Sequence, residues 1–151
     1  MTLRRLLRFT VLLGGLLLLG ACLWRRPVQV GFAGELSGKE SDLGIGARNG
    51  VLLAAEQINA AGGIAGHPLE ILVRDDAGVP DMAREVDQEL LDAGVVAIIG
   101  HVTTAQTLAG LEVTEPAGVV MLSPSASSQA LTGIEDLFFR VCADNTLDVI
   151  A

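Results

Sequence analysis

Five short, nearly unbroken apolar runs punctuate this chain, and the stretches between them are long enough to be helices. The runs are 28–33, 69–74, 95–99, 119–122 and 137–141. A run such as Val95-Val96-Ala97-Ile98-Ile99 has no polar alternation. As a strand it is buried on both faces, the habit of parallel sheets. Between the runs, 44–60 sets Ile45, Val51, Leu52, Ala55 and Ile58 on roughly one side, and Gly62-Gly63 stops it. The stretch 81–93 puts Met82, Val86, Leu90 and Leu91 on one side and acid or amide residues on the other, with Gly94 at its end. The stretch 104–115 carries Leu108, Leu111 and Val113 and closes at Pro116 and Gly118. Strand–helix–strand repeated at this interval predicts an α/β fold, a parallel sheet with helices on both faces and right-handed crossovers.

The 151 residues are enough for one domain with a real core and too few for two. Half are hydrophobic, only 3% aromatic, and 18 are glycine, which suits close-packed α/β layers better than an aromatic-cored sandwich. Charge is unevenly spread. Five of the ten Lys/Arg residues fall in the first 26 positions, leaving five against 18 acidic residues from Pro27 onward. Such an acidic domain repels nucleic acid, which is excluded as a partner.

The basic head has another task. Arg4, Arg5 and Arg8 precede an apolar run over 9–20, and Gly20-Ala21 leads to Cys22, the layout of a secretion signal. The run is shorter than the roughly 20 residues that cross a bilayer. Leu19-Gly20-Ala21-Cys22 resembles the lipobox of bacterial lipoproteins, which implies cleavage after residue 21 and acyl chains on Cys22. The expected division is a signal peptide over 1–21 and a lipid-anchored tether over 22–27, with the domain beginning at Val28. An uncleaved anchor helix ending at Arg25-Arg26 is the alternative. With Cys22 lipidated, Cys142 has no disulfide or metal partner and is expected to be a small core residue.

In open parallel sheets, ligands bind beyond the carboxyl ends of the strands. The polar residues gather there: Gly34-Glu35-Leu36-Ser37-Gly38 after the first run, Gly100-His101-Val102-Thr103-Thr104 after the third, and Ser123-Pro124-Ser125-Ala126-Ser127-Ser128 after the fourth. Thr103 and Thr104 stand at a helix start, where hydroxyls and free N–H groups favour an anion. Neutral donors suit a carboxylate that must be released again. The alternative is that these are only caps and turn residues. Gly44-Ile45-Gly46-Ala47-Arg48-Asn49-Gly50 misses the dinucleotide fingerprint in spacing and in distance from the strand. Asp75-Asp76 is read as a strand-end loop feature, His67 as an exposed turn residue, and His101 as a residue that orders its loop. Nothing in the pattern supports catalysis, a metal or a cofactor.

Several of these segments resemble the leucine/isoleucine/valine-binding protein family, the type I periplasmic binding proteins of branched-chain amino acid transport. They are the Gly34–Gly38 segment, Ile58-Asn59-Ala60-Ala61-Gly62-Gly63-Ile64-Ala65-Gly66, Arg74-Asp75-Asp76-Ala77, Ile99-Gly100-His101 and Met121-Leu122-Ser123-Pro124-Ser125-Ala126-Ser127. The resemblance runs from about Val28 to Ala151. It implies an N-terminal ligand-binding lobe over 28–143, with 144–151 beginning the crossover to a second lobe. It further implies a small amino-acid-like ligand, permease subunits of an ABC importer as partners, and an extracytoplasmic site. The ligand's α-carboxylate and amino groups would meet Thr104, Ser125 (mainly its backbone) and Ser127, with Thr103 beside them. Leu43 stands where branched-chain binders place an aromatic ring, and Gly78 where some members carry a disulfide cysteine. A sensory receptor module of the same fold is the alternative.

Overall fold

The computed structural model describes residues 26–133 and 136–145. The expected signal peptide, Cys22 and the end of the expected crossover lie outside them. The elements in chain order are β1 (Val28–Gly34), α1 (Ser41–Ala60), β2 (Leu69–Asp75), α2 (Pro80–Asp92), β3 (Ala97–Ile99), α3 (Thr104–Thr114), β4 (Val120–Ser123), a single 3-10 turn (Gln129–Leu131) and β5 (Phe138–Arg140). The five strands form one sheet in the order β2-β1-β3-β4-β5, and every pairing is parallel. The chain winds outward from β1 to β2 and then crosses to β3 on the other side of β1. That reversal opens a crevice at the carboxyl ends of β1 and β3.

The expected α/β sheet with helices on both faces is present, and the two faces are unequal. Helices α2 and α3 lie together on one. Ala33, Val86, Leu90, Val95 and Ile98 form its first core cluster, and Leu111, Met121, Ala126, Leu131 and Phe138 its second. Burying a side chain such as Leu90 stabilises the fold by about 2–3 kcal/mol. Gly31 permits the close approach, since a Cβ there would sit 2.8 Å from Leu90 Cδ1. Pro80 at the first helical position and Asp81 in the first turn start α2 without a side-chain cap.

On the opposite face, among the described residues, α1 alone lies over β1 and β2. An apolar groove of about 380 Å³ runs beside it, lined by Val30, Ile71, Ile99 and Leu122 of the sheet and Val51, Ala54 and Ile58 of α1. Gly44 seats the helix, because a Cβ there would lie 1.9 Å from the Glu35 carbonyl oxygen. The glycine-rich 44–50 stretch is therefore the interior of a helix and not a phosphate turn.

Several expectations are corrected. β3 is three residues long, and Val96 before it is 60% exposed. Leu52, Met82 and Leu108 are exposed. The inner side of α3 keeps the expected Leu111 but is otherwise Gln106, Thr107, Ala109, Gly110 and Thr114, and the small Ala109 and Gly110 let α3 pack tightly on α2. Asp87, on the expected polar side of α2, is fully buried. Cys142 is half-buried just past the edge strand β5, and so is not a core residue. His67 is exposed, as expected.

Candidate functional site

The turns after β3 and β4 lie side by side at the sheet's carboxyl rim. Register places Ile99 opposite Leu122, and the Gly100 N–H continues the ladder to the Leu122 carbonyl at 2.9 Å. Beyond that point side chains take over from the ladder. Ser123 Oγ donates to the His101 carbonyl at 2.6 Å, and Ser125 Oγ donates to the Val102 carbonyl at 2.5 Å. Ser123 Oγ also accepts from the Ala126 N–H at 3.0 Å. Arg140 reaches under the same turn, donating to the carbonyls of Ser128 at 2.9 Å and Ala126 at 3.3 Å.

The sequence-derived residues divide by what their hydroxyls are doing. Thr103 caps α3 from an extended conformation, but its hydroxyl is spent on Gln106 Oε1, whose amide reaches the Gly78 carbonyl. The Ser125 hydroxyl is spent on Val102. Thr104, at the first turn of α3, and Ser127 are half-buried, and their hydroxyls have no protein partner among the described residues. The first-turn N–H groups of Thr104, Ala105 and Gln106 precede the Thr107 N–H, which bonds the Thr103 carbonyl at 3.1 Å. Leu43, in the first turn of α1, is 45% exposed.

The neighbouring turns are rigid by construction. Asp75 Oδ1 accepts from the Leu36 and Ala77 N–H groups, both at 2.8 Å, and Oδ2 from Ser37 Oγ at 2.6 Å. Burial pushes the Asp75 carboxyl up, and these hydrogen bonds outweigh it and hold the group below its usual value. Glu35 tucks its carboxyl against Gly38 and Gly78, where a Cβ would lie 2.5 Å and 2.6 Å from it. Gly78 also has φ +70°. A side chain at Gly78 would meet both obstacles.

The least expected feature is buried just beneath. The His101 ring is wholly enclosed, with Nδ1 2.6 Å from Asp76 Oδ2 and Nε2 3.1 Å from Asp87 Oδ2. Burial favours the neutral ring, but its hydrogen bonds to the accepting Asp76 and Asp87 carboxylates prevail and push its pKa up to about 9. At neutral pH the ring is an imidazolium held between two carboxyl groups. The loop-ordering expectation for His101 agrees with this geometry, while Asp87 was missed. The available signal was its position four residues after Ala83 and three before Leu90, both fully buried.

Comparison with known proteins places the chain. Residues 27–146 match the periplasmic binding protein family. The leucine-, isoleucine-, valine-, threonine- and alanine-binding protein of Pseudomonas aeruginosa is 34% identical over 126 residues, covering 82% of this chain and 34% of the relative. The Leu/Ile/Val-binding protein of Escherichia coli K12 is 32% identical over 105 residues, 70% of this chain and 29% of the relative. Among solved structures, the branched-chain amino acid transporter substrate-binding protein of Streptococcus pneumoniae, in complex with isoleucine, superposes with a TM-score of 0.77 at 32% identity. That match covers 80% of this chain and 35% of the other. A fatty acid ABC transporter substrate-binding protein of Thermomonospora curvata superposes at 0.72 with 26% identity, covering 83% and 31%. The chain thus spans about a third of the length of these relatives. The fold, the parallel rim and the matched residues lead to one statement: this chain belongs to the periplasmic binding protein family, a family of binding proteins rather than enzymes.

Proposed function

We propose that this chain is the first ligand-binding lobe of an extracytoplasmic receptor that delivers a small amino acid, branched-chain or closely related, to an ABC importer. The observation that carries this reading is the pair of adjoining turns at the ends of β3 and β4. They leave the Thr104 and Ser127 hydroxyls and the first N–H groups of α3 uncommitted, while Thr103, Ser123 and Ser125 use theirs to build the turns. An α-carboxylate fits such a rim. Neutral donors and the helix start hold its charge without a permanent ion pair, so release stays cheap. By the family resemblance Leu43 would supply apolar contact without an aromatic face, which favours an aliphatic side chain on the ligand. The lipobox-like Leu19–Cys22 segment adds a membrane anchor through acylated Cys22, with the domain facing away from the cytoplasm.

Calorimetric titration with L-leucine and L-isoleucine tests this. Saturable binding without turnover is expected, and Thr104→Ala should weaken it by about 1–3 kcal/mol. Unchanged affinity would remove Thr104 from the site. Cys22→Ser should release the protein from membranes, and full retention there would favour an uncleaved anchor helix.

A further inference from the structure

We infer that the His101–Asp76–Asp87 cluster is the positioning device of the ligand rim, setting where the start of α3 stands relative to the Ser123–Ser127 turn. This rests on the proposed ligand site at that rim. The cluster joins three separate elements: Asp76 follows β2, Asp87 belongs to α2, and His101 follows β3. The His101 carbonyl in turn accepts from Ser123 Oγ at 2.6 Å and is the longer branch, at 3.3 Å, of a Thr107 hydroxyl shared with the Thr103 carbonyl. Each of those hydroxyls makes a second contact inside its own turn. Thr107 Oγ1 donates to the Thr103 carbonyl at 2.7 Å, and Ser123 Oγ accepts the Ala126 N–H at 3.0 Å. An unbroken path therefore runs from the buried ring to both turns that present Thr104 and Ser127.

The cluster is more than an ordinary buried ion pair. Among the described residues Asp87 Oδ1 is buried without a partner, an uncompensated cost that packing alone does not call for. Gly110 is the clearance that admits the cluster. A Cβ there would lie 2.3 Å from Asp87 Oδ2 and 2.8 Å from His101 Nε2. The groups that meet the ring are Asp76 and Asp87, which titrate, and the backbone of Gly110, which does not; Thr107 and Ser123, from α3 and β4, meet the His101 carbonyl and do not titrate. Loss of the ring's proton changes its bonds to Asp76 and Asp87, and the path above carries the shift to the rim.

The test is nuclear magnetic resonance on the full chain in detergent, following the His101 ring and the amides of Thr104, Ala105, Ser125 and Ser127 from pH 6 to 10. The rim amides are expected to move with the His101 midpoint, near pH 9. In Asp87→Asn the midpoint should fall and the rim should follow it. L-leucine affinity at pH 8 should then drop about tenfold, the scale of one hydrogen bond. A ring that titrates while the rim amides stay still would overturn the inference, as would unchanged leucine affinity in a folded Asp87→Asn protein. Should that variant not fold, Ser123→Ala keeps the question answerable. The ring should titrate as before while Ser125 and Ser127 no longer follow, and retained coupling would count against the path. If wild type shows no leucine binding while the rim still follows the ring, the ligand reading fails and the positioning link stands.

Discussion

The two faces of the sheet are built on different terms. Beneath α2 and α3, Leu90, Ile98, Met121, Asp87 and His101 are wholly enclosed, and glycine is used where helices need to touch. Beneath α1, the sheet keeps an apolar groove, and Leu52 and Leu53 on the helix are exposed. Apart from Gly44, which seats the start of α1 on the Glu35 carbonyl, the helix glycines show the same contrast. Gly110 of α3 is ringed by a carboxyl, an imidazole and a methionine methyl, whereas Gly46 of α1 has nothing within 4 Å of its would-be Cβ. The closed face carries the machinery that fixes the rim, so its stability and the rim's geometry are one property. Away from the Gly44 contact, the open face can change with little consequence for either.

The largest expected effect is therefore on the closed face. Gly110→Ala forces a methyl against Asp87 and His101 and should cost about 3–5 kcal/mol, the scale of breaking a buried charge pair; denaturant unfolding measures it. Next is pH. The folded pKa of His101 is raised, so its contribution is complete below the unfolded value near 6.5 and is lost as pH rises through about 9. Stability should fall by about 3 kcal/mol between those limits, and His101→Gln should flatten that decline. The smallest effect belongs to the open face. Gly46→Ala should stabilise by about 0.5–1 kcal/mol, the intrinsic helix preference with no neighbour to oppose it. If Gly46→Ala proved as damaging as Gly110→Ala, the contrast between the faces would be wrong.

Much of the fold was legible because periodicity is local. The runs around Val28, Leu69 and Val119 became strands, and Gly62 and Gly94 marked helix ends within a residue or two. What could not be read depended on distant partners. Asp87 looked like one more acid among Asp81, Glu85, Glu89 and Asp92, and only a cation 14 residues away in sequence draws it inside. Leu108 looked like core, yet the inner side of α3 is Leu111 with Gln106, two threonines and the small Ala109 and Gly110, which let α2 come near. At the rim, residue type showed which turns were polar. The local sequence did not show which hydroxyls are spent, since the bonds of Ser125 to Val102 and Ser123 to His101 each span more than twenty residues.

The most direct measurement is an amide chemical-shift titration of the full chain with L-isoleucine, residue by residue. Shifts centred on Thr104, Ala105, Ser125 and Ser127 are predicted, with Val30, Ile71 and Ile99 left unmoved. Shifts confined to those three groove residues, or none at saturating concentration, would contradict a carboxylate-holding rim.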